Sequence, residues 1–106
     1  MTPDDRLRIE EKTVELLRTV FDPEIPVDIY SLGLIYKIDV TDDASLNIDM
    51  TLTAPNCPAA DFLVEDARLK LETIDGVKSV NINIVFEPEW NQDMMTEEAK
   101  LELGML

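Results

Sequence analysis

Between positions 3 and 21 apolar residues return every three or four places: Leu7, Val14, Leu17 and Phe21, with Ile9, Leu16 and Val20 widening the stripe. That spacing predicts an amphipathic helix with its charged residues on the opposite face. Thr2 followed by Pro3 is a start signal, a hydroxyl for the orphan amides and then a proline at the first helical position. Pro23 and Pro26 forbid continuation, so the helix is expected to end near Val20.

From Leu34 the period changes to two. Leu34, Tyr36, Ile38 and Val40 alternate with Ile35, Lys37 and Asp39; after "TDDAS", Leu46, Ile48, Met50 and Leu52 alternate with Asn47, Asp49 and Thr51. Two half-buried strands joined by a short acidic turn make a hairpin. Pro58 then opens a second helix, with Ala60, Leu63, Val64, Ala67, Leu71 and Ile74 on one side. Asp75-Gly76 supplies its stop, Gly76 being suited to a left-handed cap. A third strand follows with Val80, Ile82, Ile84 and Phe86 facing in, then the loop "EPEWNQDMM" and a short terminal helix begun by Thr96.

The order α-β-β-α-β-α predicts an α+β fold: a small mixed three-stranded sheet with helices packed mainly on one face. A strand-helix-strand crossover makes the second and third strands parallel. The first strand is expected to be central, as in split β-α-β arrangements. The polar residues on the other sheet face read as solvated, with an interaction surface as the alternative. Residues 1–106 read as one domain.

Composition narrows the partners. The 106 residues are 45% hydrophobic, enough for one modest core, and carry a formal net charge of -14. A surface that negative repels phosphate backbones and anionic lipid, so neither nucleic acid nor a membrane surface is expected as a partner. There is no apolar run of spanning length, and "MTPDDRLRIEEK" lacks the apolar core of a secretory signal. With one cysteine there is no internal disulfide, and a reducing cytoplasm is the expected compartment.

Three stretches carry candidate chemistry. Cys57 sits between Pro55 and Pro58 where the strand pattern gives way to the helical one. At a helix N-terminus the unpaired amides and the dipole favour thiolate, while Asp61 in the first turn opposes that. A lone cysteine is more often a small buried hydrophobe, but a proline-stiffened loop suits a preset ligand. With no histidine, a Cys–His catalytic pair within one chain is excluded. The second stretch is "FDPEIPVDIYSLGLIY", where Asp22 before Pro23 favours an Asx-type turn. Asp22 and Glu24 form a carboxylate pair on a stiff loop, either a hard-ligand pair or a helix terminator. The third stretch is the tail with Trp90, Met94 and Met95, for which packing on the core is expected over a lid or docking element.

Together "DPEIPVDIYSLGLIY", "MTLTAPNCPAADFLVED" and "WNQDMMTEEAKLELGML" resemble the signature segments of the SufT-like iron–sulfur cluster assembly family, which includes the cytosolic iron–sulfur targeting proteins and PaaD. The resemblance runs from about Arg18 to Leu106. It implies an accessory factor of iron–sulfur protein maturation, not an enzyme, with Cys57 as the key residue and an iron or iron–sulfur ligand. It matches Asp22 and Glu24 to the family's acidic loop and Thr51 and Thr53 to its threonines before the cysteine. Asn56 stands where members often have glycine, and both tolerate left-handed backbone. Clusters are usually held by four thiolates, so no cluster is expected to be held stably by one chain. A transient cluster or iron atom, a cluster shared across a homodimer, or docking of apo-clients and assembly proteins are the readings left. A protein-interaction module, or a PaaD-like oxygenase-maturation accessory without direct metal contact, is the alternative.

Overall fold

The structure is a computed structural model that describes residues 2–22, 25–53 and 60–104. Its elements follow the order α1 (Pro3–Leu17), β1 (Ile35–Val40), β2 (Ser45–Met50), α2 (Ala60–Leu71), β3 (Ser79–Ile84) and α3 (Glu97–Glu102). Thr2 caps α1: its side chain accepts the Asp5 amide while the Asp5 carboxylate accepts the Thr2 amide. The helix closes at Leu17, three residues earlier than expected. Val20 lies beyond it and is nonetheless fully buried. The buried face of α1 runs through Ile9, Thr13 and Leu17. Thr13 belongs there because its hydroxyl donates to the Ile9 carbonyl at 2.7 Å. Leu7 and Phe21, expected in the stripe, are exposed: the buried face of α1 is offset from Leu7, and Phe21 lies beyond the helix end.

β1 and β2 form the expected antiparallel hairpin, and β2 pairs with β3 in parallel. The strand order is β1-β2-β3, which corrects the expectation of a central first strand. The outward side chains show why β3 settles on β2. The Ser79 hydroxyl meets the Ser45 hydroxyl at 3.0 Å, and the Asn81 amide donates to Asn47 Oδ1 at 3.1 Å. The Asn83 amide completes the row, donating to Asp49 Oδ1 at 3.4 Å. These matched cross-strand pairs each contribute about 0.2–1 kcal/mol and occur only with β2 beside β3.

Leu46, Ile48 and Met50 of β2 are fully buried on the other face, under the helices. Helix α1 packs on β1, α2 on β3, and the helices on each other. Burying one such side chain contributes about 1.5–3 kcal/mol.

Two strand expectations are corrected. A register shift between Ile35 and Lys37 marks a β-bulge, so Ile35 opposes the inward Met50 and packs on the core in place of Tyr36. β3 stops at Ile84, and Phe86 is 46% exposed. Gly76 does take a left-handed φ of +92°, but in the turn after α2 has ended at Leu71, and so does not cap that helix.

Candidate functional site

The described candidate residues, Asp22, Thr51 and Thr53, lie at the end of the sheet opposite the hairpin turn. A relay of backbone hydrogen bonds builds this end. The Ile29 amide donates to the Val20 carbonyl at 2.8 Å, Leu34 to Ile29 at 3.2 Å, and Thr51 to Leu34 at 2.8 Å. The relay ties the exit of α1, the residues after it and the end of β2 into one unit. Val27, Ile29, Leu32 and Leu34 bury their side chains beneath it. Lys70 of α2 adds a bond from its ammonium to the Thr19 carbonyl at 3.0 Å.

Asp22 sits in this unit with 6% of its surface exposed. Its Oδ1 accepts the Ile25 amide at 3.3 Å, the Asx-type turn that an aspartate before proline favours. Thr51, 1% exposed, is held by the relay itself. Thr53 follows it, half-buried. Asp22 and Thr51 are therefore brought to the same end of the fold, on the two segments that lead toward Glu24 and Cys57. Glu24 and Cys57 themselves, with Asn56 and the two prolines around the cysteine, lie outside the described residues. Among the described residues no group of three or more Cys, Asp or Glu side chains is placed to hold a metal ion. No described helix is long and apolar enough to cross a membrane.

The C-terminal segment clasps the same loop. The Trp90 indole N–H donates to the Leu32 carbonyl at 2.8 Å, and the Thr96 amide donates to the Ser31 carbonyl at 2.9 Å. The Tyr36 hydroxyl donates to the Pro88 carbonyl at 2.7 Å and lies 3.4 Å from Met94 Sδ. Met95 and Ala99 are buried, so the tail packs on the core as expected. Gly33 is the contact point. It takes φ +81°, and a Cβ there would overlap the Met94 carbonyl. Only glycine permits that approach. The signal lay in "SLGLIY": one glycine between apolar residues, without the polar neighbours of an ordinary turn.

Asp28 and Arg18 also shape this end and were not singled out from the sequence. Asp28 Oδ2 accepts the Ser31 amide at 2.9 Å. The Arg18 guanidinium lies 5.2 Å from the centre of the Tyr30 ring, a cation–π distance.

Comparison with known proteins gives concordant results. Residues 10–84 match the family model described as "Iron-sulfur cluster assembly protein". The chain is 63% identical over 100 residues to an "Fe-S protein maturation auxiliary factor" of Porphyromonas gingivalis, covering 94% of this chain and 95% of that one. It is 40% identical over 86 residues to the "Fe-S protein maturation auxiliary factor SufT" of Staphylococcus aureus, covering 81% and 98%. Among solved structures, a domain of unknown function from Bacillus anthracis superposes with a TM-score of 0.91 at 33% identity, covering 99% of this chain and all of that one.

Proposed function

The chain belongs to the iron–sulfur cluster assembly protein family, and from that membership we propose that it is an accessory factor in the maturation of iron–sulfur proteins, working in the cytoplasm. Cys57 is its working residue. It holds one ligand position of a cluster or iron atom in passage to an apo-protein, or it is the contact by which an apo-client is docked. The cluster is cargo, and the reaction needs no catalytic base. Because clusters usually take four thiolates and the sequence holds one cysteine, the remaining ligands come from a partner, a second copy or carboxylates.

The observation that supports this reading is the backbone relay from Val20 through Ile29 and Leu34 to Thr51. It ties Val20, Ile29 and Leu34, on either side of the acidic loop, to Thr51 at the entrance to the cysteine segment, which supports a ligand or client at one being presented to the other. Pre-organisation of that kind lowers the ordering cost of a transient contact.

A second reading, docking without metal contact, draws support from Asp22. A buried carboxylate whose oxygen accepts a main-chain amide shapes its own loop, which leaves less of it for a cation. Anaerobic reconstitution with iron and sulfide, then transfer to an apo-acceptor, tests the main reading. Cys57→Ser is expected to abolish transfer and to lower maturation in cells. Reconstitution and maturation both unchanged by that variant would overturn the cysteine-centred mechanism. Loss of maturation with wild-type iron and sulfide content would favour the docking reading.

A further inference from the structure

Beside the acidic loop, a cleft of about 590 Å³ opens between Phe21, residues 26–31 and α3. Its apolar surface is made by Phe21, Val27 and Leu101. Phe21 and Leu101 are 55% and 67% exposed, an unusual placement for two large apolar side chains facing one cleft. With Ser31 as the one neutral polar residue of the described lining, the charged residues that line it are all acidic: Asp28 on the loop, Glu98 and Glu102 on α3. None of the ion pairs among the described residues involves these three. Lys100, the cation of α3, does not line the cleft.

Glu98 and Glu102 stand four residues apart on the same side of a short helix, where like charges repel and destabilise it. Glu98, in the first turn, suits the helix dipole, but its nearness to Glu102 is unfavourable in the isolated chain. It becomes favourable when a cation sits between the carboxylates, and an apolar group between Phe21 and Leu101 would shield the pair from water. The two walls are held in place from below. Ala99 is buried on the core side of α3, and the Thr96 amide bonds the Ser31 carbonyl at 2.9 Å. The volume suits a short stretch of polypeptide.

We propose that this cleft docks a short basic amphipathic segment of a partner protein, one large apolar side chain seated between Phe21 and Leu101 and flanking lysine or arginine residues facing Asp28, Glu98 and Glu102. The docked segment belongs to the protein that gives or receives the iron–sulfur cargo, a clause that rests on the function proposed above; the binding chemistry does not. Because the cleft adjoins the loop of Asp22, a partner held there is presented to the site.

The test uses an amidated Leu/Lys peptide at helical spacing as probe, with a Gly/Lys peptide of equal charge beside it and amide shifts of the full chain as readout. Shifts are expected at Phe21, Val27, Ser31, Ala99 and Leu101 with the Leu/Lys peptide. Both Phe21→Ser/Leu101→Ser and Glu98→Lys/Glu102→Lys should weaken binding about tenfold or more, as loss of a central anchor does. A control pair on the hairpin, Asp42→Lys/Asp43→Lys, makes the same change in net charge and should alter affinity less than about twofold. All substituted side chains are exposed, and a thermal melt confirms that each variant folds. Equal binding of the Gly/Lys peptide, equal weakening by the hairpin control, or shifts outside the cleft would each overturn the proposal. Failure here with cargo transfer still lost in Cys57→Ser would remove the docking cleft and leave the function. Docking with unchanged transfer in Cys57→Ser would do the reverse.

Discussion

At the hairpin end of the sheet the turn itself is closed by bonds spanning a few residues, with Lys78 and Arg6 joining it from elsewhere, whereas at the opposite end local turns are held together by bonds between parts of the chain far apart in sequence. The Thr41 amide donates to the Ser45 carbonyl at 2.9 Å, the Ser45 amide returns to Thr41 Oγ1 at 3.1 Å, and the Thr41 hydroxyl bonds Asp43. At the other end Thr51 reaches back to Leu34, Val85 to Met50 and Thr96 to Ser31, and the Trp90 indole bonds a carbonyl 58 residues earlier. Long loops must close before such bonds reward the chain. The hairpin turn can therefore form alone, while the candidate site exists only after the whole domain has assembled. The bonds of the hairpin turn thus do not depend on those of the site end.

The largest effect is expected where the tail meets the loop. Gly33→Ala puts a Cβ at φ +81° and into the Met94 main chain. Backbone on both sides leaves little room to relax, so we expect a loss of about 2–3 kcal/mol in urea unfolding. Gly76 supplies the comparison. It has φ +92°, but its nearest obstacle is the Arg8 guanidinium, 3.2 Å from where a Cβ would sit, the far end of a flexible side chain that can shift at the expense of its bond to the Asp75 carbonyl. Gly76→Ala should cost only about 1 kcal/mol. Hydrogen exchange should show the Thr96 amide losing protection in the first variant and keeping it in the second. Equal losses would mean that the two ends are not built differently after all.

What the sequence reveals follows the same division. The helix starts at Thr2 and Thr96, the hairpin, and the parallel pairing of β2 with β3 were legible because each is written in neighbouring residues or in chain topology. Tyr36 was misplaced because a bulge shifts the phase by one residue, and alternation alone carries no mark of it. The central position of β2 depends on pairs such as Asn47–Asn81, which are invisible until the strands are set side by side. For the site, Asp22, Thr51 and Thr53 could be singled out from motif and resemblance. The clasp of Trp90 and Thr96 on Leu32 and Ser31 could not, since nothing local links those residues. Phe21 illustrates the limit: its helical spacing suggests core, yet it lies past the end of α1 and forms the wall of a cleft.

A smaller effect separates shape from chemistry at Asp22. Asp22→Ala removes the acceptor for the Ile25 amide and should cost about 1 kcal/mol. Asp22→Asn keeps an oxygen in that place and should leave unfolding close to wild type, with the Ile25 amide still protected. The two variants therefore divide the site end's architecture from its charge. If Asp22→Asn preserves stability yet impairs anaerobic transfer of cluster to an apo-acceptor, the carboxylate acts on cargo. If transfer survives in Asp22→Asn and falls only in Asp22→Ala, the residue works by holding the loop.

The smallest effect belongs to the hairpin end and to acid. The hydrogen bond from the Thr41 hydroxyl holds the Asp43 carboxyl below its ordinary value of 3.8. A group whose folded pKa is depressed stabilises the fold at pH above the unfolded value, and that contribution is lost as pH falls through the folded one. Nothing should therefore change at this turn between neutrality and the ordinary carboxylate range, and the turn should loosen only below it. Thr41→Val is expected to raise the Asp43 pKa toward 3.8 in a carbon-detected NMR titration. The amides of Ile29 and Thr51 should keep their exchange protection in that variant, because no bond in the relay passes through the turn. Protection lost at Thr51 together with the turn would show that the hairpin supports the site after all, and the independence of the two ends would fall.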